Sequence, residues 1–223
     1  MTDGVKPVKG PRWTQKRLVD MLIECYGPSA RSPVDVAAVA AHVDVTPATV
    51  RRWLHPPDGP PSRTPARVPP DRIRQLQRAP DAAEEEQERR YLYALRAIDM
   101  IAHGETIPPW RNQGYLDEHT VAVIAVNAKP WQQVVFTKAN HRAMTAIHRR
   151  GKLVSTVVVP NRFHAIAVTN FVMVRQQEWR VYPAENQLDI GRTQVWMADA
   201  PAVDLDALAA KVAGVAAAVV RSH

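Results

Sequence analysis

The sequence predicts an α+β protein: an N-terminal all-α domain, a linker helix and a C-terminal mixed α+β domain. Three observations carry this. Up to about residue 103, apolar residues recur at helical spacing. From residue 115 the apolar runs turn β-branched or aromatic and shorten to strand length. Within the first region lies a tract of seven prolines, PPDGPPSRTPARVPP over 56–70. The expected boundaries are a flexible basic arm at 1–13, the all-α domain at 14–78 with 56–70 as an extended segment, the linker helix at 79–110, and the α+β domain at 111–223.

The first twelve residues are polar, hold Pro and Gly, and carry Lys6, Lys9 and Arg12. A disordered tail is expected there, with an arm that follows a DNA groove as the alternative. Residues 14–26 should form a helix. Thr14 is its cap, Leu18, Met21, Leu22 and Cys25 share a face, and Gly27-Pro28 stops it. Cys25 is the single cysteine, so no intramolecular disulfide can form. Its place on the apolar face predicts a buried thiol and fits a reducing compartment.

Residues 35–55, DVAAVAAHVDVTPATVRRWLH, read as two short helices around a tight turn. Val36, Val39, Ala40 and Val43 line one side of the first. Asp44 falls where the turn needs a residue tolerant of positive φ, a role more often filled by Gly. Thr46 is suited to cap the second helix and Pro47 to begin it. Val50 and Trp53 then face inward beneath Val45. This pattern resembles the helix-turn-helix of phage repressors and related bacterial regulators. The resemblance covers about 20 residues, and the flanking helices extend it over 14–78. It implies a recognition helix presenting Thr46, Pro47, Ala48, Thr49, Arg51, Arg52 and His55 to double-stranded DNA.

The proline tract forbids helix and sheet interior alike. An extended, polyproline-like segment is expected, with Arg63 and Arg67 projecting toward a minor groove or a phosphate row. A short helix follows over 70–78, with Asp71 at its start. The linker helix runs over 84–103, with Glu85–Arg89 and Glu86–Arg90 at i,i+4 and a stripe of Leu92, Leu95, Ile98 and Ile101. Strands are expected over 119–126, 131–137, 153–159, 163–174, 178–182 and 193–198. One helix should span 140–150, capped by Asn140 and stopped by Gly151, and a last one 205–221.

The formal charge of +7 is uneven: residues 1–78 hold 13 Lys/Arg against 7 Asp/Glu, the remainder 16 against 15. A polyanionic partner would meet the N-terminal third first. A second basic cluster lies at 138–152, KANHRAMTAIHRRGK, where Arg142, Arg149 and Arg150 are candidates for a further DNA contact. Some actinobacteriophage immunity repressors place two DNA-contacting domains in one monomer, and the Ala-, Arg- and Val-rich composition here resembles that of actinobacterial proteins. No C-terminal motif aligns with that group.

No His/Cys/Glu set has zinc spacing and no Gly-rich phosphate loop occurs, so neither cofactor nor metal is expected. Self-cleavage of the repressor type is not expected either: Ser155 is the only Ser after residue 62 apart from Ser222, and Lys211 the only lysine downstream of Lys152. Residues 1–12 have no apolar run and 212–220 is too short to span a bilayer. The expected protein is a cytoplasmic regulator in a bacterial cell. It would bind DNA as a monomer with two contacts or as a homodimer. A DNA-packaging or replication-origin protein that oligomerises through its C-terminal part is the alternative. A nuclease built on 115–200 is the third reading, weakened by acids too scattered to pair on a metal.

Overall fold

The computed structural model describes residues 5–56 and 58–220, with backbone only for 215–220. Residues 1–4 of the expected arm, Pro57 of the proline tract and Arg221 at the expected end of the last helix lie outside the described residues.

The α+β class is observed. One antiparallel sheet has the order β3-β1-β2-β4, from β1 (His119–Val126), β2 (Trp131–Lys138), β3 (Gly151–Val159) and β4 (Val195–Met197). β1 is central and its side chains alternate between two layers. Val121 and Val123 join the main core, while Ala122 and Ile124 meet Ile147 and Met144 of the helix His141–Arg150. That helix is capped by Asn140, whose side chain accepts from the Ala143 N–H. Gly151 follows it directly. A Cβ there would run into the Ala125 carbonyl, so the tight passage from helix to β3 requires glycine. β3 pairs with β1 with a register slip between Val123 and Ile124, where Val154 is the extra, bulged residue.

Two expected strands are not strands. Residues 162–175 form a helix (Arg162–Arg175). Phe163, Ala165, Ala167, Val168, Phe171, Val172 and Met173 are all buried in it, because it is covered on almost every side. A helix with no exposed face carries little 3.6-residue signature, and its apolar run looks like a buried strand. The local signal was Asn161, whose side chain accepts from the N–H groups of Phe163 and His164 and starts the helix. Residues 178–182 hold only the 3₁₀ turn Gln177–Trp179 and one isolated bridge between Arg180 and Trp196.

The expected linker is a core helix. It runs Asp81–Ala102 and packs on Arg162–Arg175 and on the last helix, Leu205–Val220. Its buried face is Tyr91, Ala94, Ala97 and Ile98, and the expected stripe residue Leu92 is half exposed. A short helix, Pro108–Asn112, was not foreseen; it buries Trp110 against Phe163. In chain order the helices are therefore α1 (Gln15–Tyr26), α2 (Val36–His42), α3 (Pro47–Leu54), α4 (Pro70–Gln77), α5 (Asp81–Ala102), α6 (Pro108–Asn112), α7 (His141–Arg150), α8 (Arg162–Arg175) and α9 (Leu205–Val220).

The N-terminal helices share one apolar cluster with the sheet and α8. Arg17 of α1 pairs with Asp199 and lies over the Trp179 ring. The Ala184 N–H donates to the Cys25 carbonyl at 2.7 Å, and Gln77 Nε2 to the Glu178 carbonyl at 2.9 Å. Residues 5–13 follow this seam rather than forming a free arm. Val5 is buried, the Val8 N–H donates to the Arg175 carbonyl, and Trp179 Nε1 donates to the Lys9 carbonyl. Cys25 is buried as expected, and burial pushes its thiol well above the ordinary range, away from the reactive thiolate.

Trp53, 6 % exposed, is the largest side chain that α3 puts into this shared core. Trp53→Ala should cost about 3–5 kcal/mol. Because the core is continuous, the variant should melt in a single transition at lower temperature by calorimetry. Two resolved transitions, with only the first one moved, would show the helices unfolding apart from the sheet.

Candidate nucleic-acid interface

α2 and α3 are set by local chemistry. Asp35 caps α2, its carboxylate accepting from the Ala37 and Ala38 N–H groups at 3.1 and 3.0 Å. The turn reverses at Asp44, which takes φ +49°. The Val45 N–H then donates to the Ala40 carbonyl at 3.0 Å, and Arg72 of α4 donates to the Val43 carbonyl at 2.9 Å. Thr46 caps α3, its hydroxyl accepting from the Thr49 N–H. Val50 and Trp53 are buried, so the opposite face is fixed outward.

That face carries the expected set. Thr46, Pro47, Ala48, Arg51, Arg52 and His55 are exposed and Thr49 is partly so. Arg52 Nη2 donates to the Thr49 hydroxyl at 3.2 Å, which lays its side chain along the helix toward the N-terminus. Among the described residues neither Arg51 nor Arg52 has a carboxylate partner.

The proline tract is not the extended polyproline segment expected. It folds back as a strap over the start of α1. The Thr64 carbonyl accepts from the Gln15 N–H at 2.9 Å and the Pro61 carbonyl from the Lys16 N–H at 3.0 Å, while Thr14 Oγ1 takes the Arg17 N–H. The first three N–H groups of α1, which have no partner inside the helix, are thereby satisfied. Prolines suit this work because they offer carbonyls and demand no acceptor of their own. Arg63 and Arg67 are both exposed on the strap, and Arg67 lies 3.5 Å from Asp58.

Gln15 ties the strap to α3. It is 1 % exposed, and its Nε2 donates to the Trp53 carbonyl at 2.5 Å while its Oε1 accepts from the Arg67 N–H at 3.1 Å. Arg67 is thus anchored beside the C-terminal end of α3. Neither Gln15 nor Arg72 was singled out from sequence. Arg72 could have been found, because Ile73 and Leu76 face inward and leave it on the side toward the turn.

α7 stands on the face of the sheet opposite α8. Arg142 and Arg149 are exposed there, as are His141 and His148. Arg150 differs: its guanidinium donates to Gln133 Oε1 at 2.8 Å and to the Ile190 carbonyl at 3.2 Å. Burial lowers its pKa, and its donors serve the fold.

A cleft of about 870 Å³ opens beside the turn, lined by His42, Asp44, Arg72 and Arg78 from the helices and by Tyr182 and Arg192 from the opposite wall. His42 is bonded to the Tyr26 hydroxyl and the Arg78 carbonyl, and its ring meets Tyr182 edge-on at 5.5 Å. Burial holds its pKa below the ordinary imidazole value. Among the described residues no group of His, Cys, Asp or Glu gathers as a metal site, and no helix is long and apolar enough to cross a membrane. Comparison with family models, curated proteins and solved structures found no match.

The positive φ at Asp44 gives a direct test of the turn. Asp44→Gly should hold or raise the melting temperature, since glycine takes this conformation without a Cβ penalty. Asp44→Val should lose about 1–2 kcal/mol in denaturant unfolding. Equal stability of the two variants would mean that this turn does not hold residue 44 in the left-handed region.

Proposed function

We propose that the chain is a sequence-specific regulator that binds double-stranded DNA, a repressor of the phage or prophage immunity type. It acts by occupying promoter DNA and excluding polymerase, in the cytoplasm of a bacterial host, and needs no catalytic step. The observation that carries this reading is the outer face of α3. Its Arg51 and Arg52 side chains are exposed and, among the described residues, lack acidic partners, on a helix whose cap and preceding turn fix its orientation. In a major groove an arginine takes guanine O6 and N7 with two hydrogen bonds, and Ala48 or a Thr methyl fits against a thymine methyl. Arg63 and Arg67 extend this surface from the strap toward the adjoining backbone. Arg142 and Arg149 are suited to phosphate, as positioning contacts without base preference. Arg150 is not one of these contacts, because its Nη2 is turned inward to Gln133 Oε1 and the Ile190 carbonyl.

Selection of bound sites from random DNA tests the reading. Asymmetric sites taken by one chain would fit a monomer with two contacts, and inverted repeats a homodimer. Arg51→Ala and Arg52→Ala should each weaken binding to the selected site by about 1–3 kcal/mol, and at least one should relax the preference at a base position. Uniform weakening on every sequence would make both of them phosphate contacts.

Arg142→Ala combined with Arg149→Ala should lower the slope of log K against log[salt] by about 0.9 for each lost contact, leaving base preference intact. An unchanged slope in filter or fluorescence titrations would remove α7 from the interface.

A further inference from the structure

One face of α8 looks into a groove that the DNA-binding reading does not use. Arg162, Ile166, Thr169, Asn170 and Met173, at helical spacing, form its floor, and its volume is about 770 Å³. That lies within the range of about 300–1,000 Å³ typical of small-molecule sites. One wall is α5. The other is formed by Tyr182 and the segment from Ile190 to Gln194.

Three features define what would fit. First, the groove carries flat aromatic surfaces on which guanidinium groups already lie. Arg162 sits 4.5 Å from the Tyr115 ring centre and 5.5 Å from that of Phe136, and Arg192 sits 4.5 Å from that of Tyr182. Stacking uses the face of a guanidinium and leaves N–H groups at its edge for an anion; of Arg192 these are the terminal ones, since its Nε donates to the Pro183 carbonyl at 2.7 Å. Second, among the described residues neither Arg162 nor Arg192 has a carboxylate partner. Nearby arginines do: Arg90 is paired with Glu86, and Arg78 and Arg180 with Glu84. Third, the hydroxyl of Thr169, a residue 5 % exposed in the groove floor, has no hydrogen-bond partner among the described residues. A buried hydroxyl is costly to leave unpaired. Ile190, 57 % exposed, adds an apolar rim.

The groove is linked to α2 through two shared residues. Tyr182 and Arg192 line both it and the cleft beside the Asp44 turn. Arg192 lies on Tyr182, and Tyr182 meets His42 of α2. A ligand that draws Arg192 away from Tyr182 therefore acts on the ring that braces α2.

We propose that this groove is an effector site for a flat organic anion, and that its occupancy bears on α2 through Arg192, Tyr182 and His42. The coupling rests on the DNA-binding reading; the binding does not. The full chain is titrated with anilinonaphthalene sulfonate, an aromatic anion, by fluorescence and calorimetry. One site per chain is expected. Arg162→Gln, Arg192→Gln and Ile190→Asp should each weaken it about tenfold, while Arg51→Ala leaves it unchanged. The uncharged N-phenylnaphthylamine should bind about tenfold more weakly than the sulfonate. Ile190→Asp alters only an exposed rim residue, so it keeps the test decisive if an arginine variant melts early. Equal binding of the neutral probe, or full affinity in folded Arg162→Gln and Ile190→Asp, overturns the site. On a selected DNA site the sulfonate should change affinity about threefold or more, and His42→Gln should abolish that change while keeping probe affinity. Probe binding with no effect on DNA affinity overturns the coupling. A wild-type chain that binds no DNA defeats the regulator reading instead, and the probe titration still decides the groove.

Discussion

The side-chain amide of Gln15 is buried, and both of its polar atoms are used. A buried amide with an idle donor or acceptor costs about 1–3 kcal/mol, so this residue holds only where carbonyl and N–H partners both arrive. They come from two distant stretches, the end of α3 and the strap. Gln15 itself opens α1, and the strap closes over the N–H groups of that first turn. The placement of the presented face of α3 therefore depends on one amide that offers a donor and an acceptor at the right reach. Gln133 repeats the device, donating to the Ile190 carbonyl and accepting from Arg150, while buried Gln77 and Gln176 each donate to a distant carbonyl, of Glu178 and Pro201. These loops are held by side-chain amides as well as by apolar contact.

What was legible in the sequence was local. The caps at Thr14, Asn140 and Thr46, the turn at Asp44, the stop at Gly151 and the inward pair Val50 and Trp53 are decided by near neighbours, and they lie where the pattern places them. What was not legible depends on partners far along the chain. α8 lost its periodic signal because nearly all of it is covered. α5 reads as a linker because its amphipathic pattern cannot name the helices it packs on. The strap reads as an extended spacer because proline density reports what a segment cannot be, and its acceptor role appears only when α1 lies beneath it. Of the candidate site residues, the α3 set stands exposed together, Arg67 joins its end through Gln15, and Arg150 turns inward to Gln133, which no spacing rule foretells.

The formal charge overstates what a polyanion would meet. Arg17 is tied to Asp199 and Trp179, Arg72 to the Val43 carbonyl, Arg78 to Glu84 and Arg180 to the same Glu84. These cations hold the helices to one another and to the sheet. Arg51, Arg52, Arg63, Arg142 and Arg149 are by contrast exposed and, among the described residues, have no carboxylate partner. Selectivity of that kind follows from which arginines the fold has already paired, and composition alone cannot supply it.

β3 ends the sheet at one side, nine residues long and with Val154 and Val158 half exposed. A flat apolar edge of that length is a template on which a second chain could add a strand. The bulge at Val154 breaks the ladder in its middle, and exposed Lys152 sets a charge near one end. Neither contributes to any binding surface described above. A straightened strand with an uncharged residue at 152 would remove both obstacles and open a route to fibrous self-association.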